Sequence, residues 1–238
     1  FQLHTMKKSP HIAVVTNVTP NHLDWHKDFQ EYVDAKKAVF ANQKEGDRAV
    51  FNYDNEITKG FYDETPNGVY FSRTNKIDDG YGLNGDMIAL FEGGKVKRDI
   101  LNVNDIYIPG VHNIENYMAA IAAVDGLVSD EVIRATAKGF VGVPHRIEFV
   151  RELDGVKYYN DSIASSPART TAGLNSFDKK VILIAGGYDK KIPFDDFGTV
   201  VNDKVKKLVL CGFTADKIEA AVKNADNYNA EALPIYKL

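Results

Sequence analysis

A single cysteine, Cys211, stands in 238 residues. That scarcity excludes a disulfide framework and points to a reducing compartment. Cys211 closes an apolar, strand-like run, where a lone cysteine is more often a small core residue than a nucleophile. No apolar run is long enough to span a bilayer, which argues against a membrane partner. No basic block offers a nucleic-acid footprint: 29 Lys and Arg are set against 33 Asp and Glu, mixed throughout, for a formal net charge of -4. Internal repeats, low-complexity tracts and a signal-like opening segment are all missing. There is no initiator Met either: Phe1-Gln2-Leu3 enters mid-pattern, and residues 232–238 stop as a strand begins. The chain is therefore expected to be a piece of a longer protein, with room for one large domain or two ordinary ones.

What is present concentrates first in residues 14–40, VVTNVTPNHLDWHKDFQEYVDAKKAVF. The apolar run from Ile12 to Val18 is too short for anything but a buried strand. Thr19-Pro20-Asn21 breaks it, since proline cannot continue a central ladder and asparagine favours turns. At that carboxyl edge stand His22, Asp24 and His26, three potential ligands or acid/base groups. From Asp28 the spacing of Phe29, Tyr32, Val33, Val39 and Phe40 predicts an amphipathic helix. Lys36 projects near the middle of its apolar stripe, whereas Lys37 groups with Gln30, Asp34 and Ala41 on the polar side. A lysine centred on a buried face is costly unless paired, neutralised or modified. The alternative is a snorkelling lysine that covers the rim of the core.

Further along, residues 48–53 read as a buried strand and Asp54 opens a loop with a short helix. Residues 69–108 are mostly strand and turn, with a hairpin around Glu92-Gly-Gly-Lys95. A helix is expected from Asn113, as N-cap, to about Leu127, and a second from Ser129 to Gly139. Val143-Pro144 reads as a linker, which sets a domain boundary between 1–143 and 144–238. Beyond it come strands at 146–150 and 156–159 joined by Asp154-Gly155, and a helix opened by Ser166-Pro167. Strand 181–185, a helix near 195–202, strand 207–211 and a helix started by Thr214 follow. Helices alternating with apolar runs of this length predict an α/β fold with a parallel sheet.

In open α/β sheets ligands sit beyond the carboxyl ends of the strands. Three loops occupy that place: the His22/Asp24 turn, Asn160-Asp161-Ser162, and Gly186-Gly-Tyr-Asp-Lys-Lys191. Glycines let a ligand approach the backbone and lysines supply charge for an anion. A strand followed by Gly-Gly is, however, commonly just a tight turn, and His145-Arg146 would serve equally in a surface salt bridge. Composition and spacing alone support an anion- or nucleotide-binding α/β protein and leave its function open.

In order, these stretches resemble the motifs of the Mur ligases. FQL at residues 1–3 is similar to the end of a family segment, TNVTPNHLD at 16–24 to the metal-site turn, and YVDAK at 32–36 to the helix of the carbamylated lysine. GVHNIEN at 110–116 resembles the adenine-contacting segment. PHR at 144–146 and NDS at 160–162 resemble the stretches that reach ATP from the third domain, and GGYDK at 186–190 the loop that holds the incoming amino acid. The resemblance covers most of the chain and runs closest to the branch that adds D-glutamate to UDP-N-acetylmuramoyl-L-alanine. It implies a partial central ATPase-type domain followed by a Rossmann-like carboxyl-terminal domain. The implied chemistry is ATP-driven amide-bond formation through an acyl phosphate, in the cytoplasm, in a monomer serving peptidoglycan synthesis. Carried over residue by residue, it assigns Mg²⁺ to His22 and to Lys36 as a carbamate. It assigns ATP to His112, Asn113, Asn116, Arg146 and Asp161, and D-glutamate to Lys190 and Ser165.

The chain departs from the family pattern in three ways. No G-x-x-x-x-G-K-[ST] is present, so the phosphate-cradling loop would lie before Phe1 and the chain by itself is expected to be inactive. Ile163 stands where the family has lysine, with Arg169 as a candidate substitute. The carboxyl end stops before the family's last substrate-binding segment. The alternatives that remain are a related ligase adding another amino acid, including L-glutamate to folate, and a noncatalytic nucleotide-binding module.

Overall fold

The computed structural model describes residues 2–19, 26–194 and 196–238. They divide into two compact units, one of residues 1–107 with 112–140 and one of 108–111 with 141–238. In the first unit, six strands among the described residues form one sheet in sequence order: β1 (Ile12–Val15), β2 (Arg48–Asn52), β3 (Gly68–Phe71), β4 (Gly80–Asn84), β5 (Met87–Glu92) and β6 (Lys95–Asn102). The first three run parallel, β4 joins β3 in parallel through the pair Phe71–Tyr81, and β4, β5 and β6 continue as an antiparallel meander. The expected strand at 12–18 is shorter, and Val14 is half-exposed between buried Ala13 and Val15. Strand β4 escapes a reading by pattern because its sequence, GYGLN, carries two glycines, which have weak strand propensity.

The sheet buries both faces, and the period of two in its strands decides which residue goes where. In β2, Ala49 and Phe51 join a core with Tyr32, Val33, Phe40 and Phe61, whereas Val50 points to a second core with Met118, Ile121 and Ile133. The first core is covered by α1 (Phe29–Lys37), with Asp28 as N-cap accepting from the Glu31 N–H. The second is covered by α3 (Val111–Val124) and α4 (Asp130–Gly139). Between β2 and β3 lies the short helix α2 (Glu56–Gly60), capped by Asn55. Helix α3 begins two residues earlier than expected, so Asn113 is a buried residue of its first turn and not an N-cap. Its far end is held by Arg48 of β2, whose Nη1 donates to the carbonyls of Ala122, Ala123 and Asp125 at 3.0, 3.3 and 2.9 Å. A cation there also suits the negative end of the helix dipole.

The second unit has a parallel sheet in the order β11 (Ile235–Lys237), β10 (Val205–Cys211) and β9 (Val181–Gly186). One face packs against α5 (Pro167–Leu174), α6 (Phe197–Lys204) and α7 (Ala215–Lys223) around Leu174, Val201, Leu208, Leu210 and Val222. The strands β7 (Glu148–Leu153) and β8 (Val156–Asn160) form a separate antiparallel ribbon, joined at Asp154-Gly155. The loop after β8 is therefore not a switch point of the parallel sheet. Its start packs near the carboxyl end of α5 instead, with Asp161 beside Gly173 and Tyr159 ring-on-edge against Phe177 beyond that helix, at 5.1 Å between centroids.

Candidate functional site

The second unit joins two of the stretches singled out in the sequence. Arg146 sits between two residues in left-handed backbone, His145 at φ 66° and Ile147 at φ 45°. For a β-branched residue such as Ile147 this conformation is strained, and it persists only where the surroundings impose it. Three hydrogen bonds do so: the Ile147 N–H donates to Asp161 Oδ1 at 3.1 Å, the Ile163 N–H to the His145 carbonyl at 3.2 Å, and the His145 N–H to Glu148 Oε2 at 2.7 Å. Asn160 Nδ2 lies 2.8 Å from His145 Nδ1. The PHR and NDS segments thus form one clasp. The Arg146 guanidinium is left exposed, with no hydrogen bond or ion pair among the described residues. Asp161 is seated against α5, where a Cβ on Gly173 would come within 2.8 Å of its Oδ2, so that glycine makes room for the carboxylate. Arg169 Nη1 reaches the Ile163 carbonyl at 3.4 Å, which places a guanidinium beside the position where the lysine was expected.

The same unit brings Lys190 to Ser165, with Nζ donating to Oγ at 2.8 Å. Neighbouring Asp189 pairs with Lys217 and accepts from the Lys191 N–H, and those contacts hold its carboxyl below the usual range. The two glycines before it do different things. A Cβ on Gly186 would fall 1.7 Å from the Cys211 carbonyl, so this glycine is required by the neighbouring strand and not by a ligand. Gly187 has open space on that side. The first glycine is thus a close-packing position at the end of β9, and the open-backbone reading fits the second.

In the first unit, His22 and Asp24 lie outside the described residues. Lys36 is half-buried, with Nζ 5.2 Å from the centroid of the Tyr32 ring and no carboxylate partner among the described residues. This is intermediate between the buried and the snorkelling lysine. Its helix starts beside buried His26, whose ring stands edge-on to Tyr32 at 5.4 Å and whose Nδ1 is 3.5 Å from Glu31 Oε2. His26 Nε2 is buried without a hydrogen-bond partner among the described residues. At the head of α3, Asn116 is exposed and donates through Nδ2 to Oδ1 of Asn113 at 3.1 Å. The two amides are bonded to one another, which leaves the Asn116 oxygen and second N–H to meet a ligand edge. His112, half-buried, precedes them in the same turn.

Sequence reasoning missed Asp54. Its carboxylate, directly after β2, accepts from Ser72 Oγ at 2.6 Å, Asn75 Nδ2 at 2.9 Å, and the backbone N–H groups of Arg73 and Thr74 at 2.8 and 3.1 Å. Partial burial pushes its carboxyl up, but these donors outweigh burial and bring it down to about 2. Only an aspartate opening the loop after a predicted strand was visible beforehand.

Profiles of known domains match both units. That of the Mur ligase middle domain covers residues 2–124, and that of the Mur ligase glutamate ligase domain covers 145–234. The chain belongs to the Mur ligase family. Among curated members, it is 56% identical over 240 residues to the UDP-N-acetylmuramoylalanine–D-glutamate ligase of Acetivibrio thermocellus, covering 100% of this chain and 51% of that protein. It is 54% identical to the enzyme of that name in Ruminiclostridium cellulolyticum, over 94% of this chain and 48% of that one. The chain thus spans about half the length of the curated Mur ligases it matches. Among solved structures, UDP-N-acetylmuramate-alanine ligase of Thermotoga maritima superposes with a TM-score of 0.71 at 19% identity, over 97% of this chain and 51% of that one. A pseudomurein peptide ligase type C of Methanothermus fervidus gives 0.66 at 17%, over 96% and 52%. These two establish the shared α/β fold and nothing about substrate. No helix among the described residues is long and apolar enough to cross a membrane.

Proposed function

We propose that this chain is the central and carboxyl-terminal part of a cytoplasmic ligase that joins D-glutamate to UDP-N-acetylmuramoyl-L-alanine at the expense of ATP. The observation that carries the reading is the 56% identity to a ligase of that name along the whole chain; the meeting of the PHR and NDS segments and of Lys190 with Ser165 in the second unit supports it. The reaction balances in two steps. A carboxylate oxygen of the alanyl end attacks the γ-phosphorus of ATP and ADP leaves, giving an acyl phosphate. The D-glutamate amine then attacks the acyl carbon, phosphate leaves with the C–O bond electrons, and the ammonium proton is lost to solvent.

Each step gathers negative oxygens, so catalysis calls for fixed cations and donors. Arg146, projected by its strained clasp, supplies an exposed guanidinium for a phosphate, and Asp161 a carboxylate for the ribose or its hydroxyls. The head of α3, with His112, Asn113 and Asn116, offers donors and acceptors to the adenine edge. Lys190, already hydrogen-bonded to Ser165, offers a donor pair to the carboxylates of D-glutamate. Mg²⁺ would be held by His22 and by Lys36 as a carbamate, and when bound it supplies charge neutralisation for the phosphoryl oxygens. The local chemistry fits that assignment. Among the described residues Lys36 lacks a counterion and the buried His26 Nε2 lacks a hydrogen-bond partner, which leaves a donor or acceptor near the same helix.

The test is phosphate release by the full-length ligase with ATP, Mg²⁺ and UDP-N-acetylmuramoyl-L-alanine across a panel of amino acids. Release with D-glutamate alone, lost in Lys36→Ala and Lys190→Ala, is the expected result. Release with another amino acid would overturn the substrate. No release with any amino acid would favour a noncatalytic nucleotide-binding module, the reading that Ile163 at the lysine position supports.

A further inference from the structure

The loop after β3 is built around one arginine. Ser72, fully buried, donates its hydroxyl to Asp54, and its own Oγ receives the Asn75 N–H at 2.9 Å. Asp54 in turn takes the Arg73 and Thr74 N–H groups. An ionised carboxylate with four donors is a rigid clasp, because losing any one donor weakens a charge-assisted bond. It fixes the backbone from which Arg73 extends, and it lies at the carboxyl ends of β2 and β3, the ligand-bearing edge of such a sheet.

Arg73 spends only part of its hydrogen-bonding capacity on the protein. Its Nε donates to Glu115 Oε1 at 2.7 Å, with the two side chains 29 and 30% exposed. Its two terminal nitrogens make no hydrogen bond among the described residues. Glu115 lies on the first turns of α3, two residues after Asn113 and one before Asn116. Without Arg73, a carboxylate would stand uncompensated beside the amides assigned to the base. With it, the charge is balanced and the head of α3 is tied to the sheet through Arg73 and Asp54.

We propose that Arg73 is a positioning residue for the nucleotide base. Seated by Asp54, it holds Glu115 and thereby sets the angle at which Asn113 and Asn116 face the purine edge, making the site select adenine over guanine. This rests on the reading of the α3 head as the base-contacting segment. The chemical class of ligand is a purine nucleotide, and discrimination at its six-position is the property Arg73 controls.

The experiment is calorimetric titration of the full-length ligase with ADP and GDP, for wild type, Arg73→Met, Arg73→Lys, Glu115→Gln, the double variant Arg73→Met/Glu115→Gln, and Asn116→Ala. Thermal unfolding is recorded for each. Arg73→Met is expected to weaken ADP about tenfold, the scale of one charge-assisted hydrogen bond, while leaving GDP within about twofold. The double variant should lose no more than the worse single one, since the two side chains act through each other. Arg73→Lys, which keeps the charge without the planar fork, should fall between. Unchanged ADP affinity in Arg73→Met, or an equal loss for ADP and GDP, would overturn the inference even if the unfolding midpoint drops. Asn116→Ala separates the two levels. If it binds ADP as wild type does, the reading of α3 fails and the inference with it. If it loses ADP while Arg73→Met does not, the inference alone fails.

Discussion

Replacing Asp54 with asparagine keeps the shape of the clasp and removes its charge, so the cost of the change depends on pH. The Asp54 carboxyl falls from 3.8 to about 2 in the folded chain. That difference corresponds to roughly 2 kcal/mol, and solvent screening at a partly exposed site leaves about 1–2 kcal/mol. Because the folded value lies below the unfolded one, this contribution is complete above about pH 4 and declines as pH falls from 3.8 toward 2. About half of it is gone by pH 3. Urea unfolding followed by circular dichroism, at pH 7, 4 and 3, compares wild type with Asp54→Asn. At pH 7 the variant's midpoint should lie lower by about 0.5–1 M for a slope near 2 kcal/mol/M, and the gap should narrow by about half at pH 3. A gap of the same size at pH 3 and pH 7 would mean that the charge of Asp54 does not hold the loop, and the reasoning would be refuted.

Gly173→Ala drives a methyl group into Asp161; it should cost about 1–2 kcal/mol of stability by disturbing the Ile147 hydrogen bond, readable in a thermal melt. ADP binding to the full-length ligase should weaken in the same variant. Gly186→Ala meets the Cys211 carbonyl at φ 135°, so the second unit should fail to reach its native fold, and its β9 and β10 amides should lose hydrogen-exchange protection. Lys36→Met removes a half-buried ammonium from the Tyr32 ring, so stability should shift by no more than about 1 kcal/mol. Turnover by the full-length ligase should nevertheless be lost, and a variant that unfolds outright would contradict the half-exposed placement.

Where local chemistry fixes an element, it was legible in advance. Asp28, Ser129, Ser166-Pro167 and Thr214 each stand where a helix opens, although of the four only Asp28 makes a side-chain cap bond, and the Gly-Gly turn between β5 and β6 closes the expected hairpin. Elements set by distant partners were not. Strand β4 exists because Tyr81 meets Phe71 and its OH meets Asp125 at 2.7 Å, contacts that no window around GYGLN contains. The left-handed backbone at His145 and Ile147 is imposed by Asp161, Ile163 and Glu148, so nothing in PHRIE by itself announces it. Asn113 reads as a cap by residue type, yet the helix takes it inside because Val111 and His112 already carry helical backbone. The meeting of Lys190 with Ser165 was foreshadowed by family resemblance and not by spacing, since 25 positions separate them.

Helix α3 is moored at both ends. Arg48 grips its last carbonyls from the start of β2, and Arg73 grips Glu115 from the end of β3. The two grips lie at Glu115 and at Ala122 to Asp125, about 10–15 Å apart along the axis. A rod tied to its bed at two such points cannot slide lengthwise or tip at one end without breaking a guanidinium contact. A motion that carries the head of α3 toward a ligand while keeping both grips must therefore carry β2 and β3 with it.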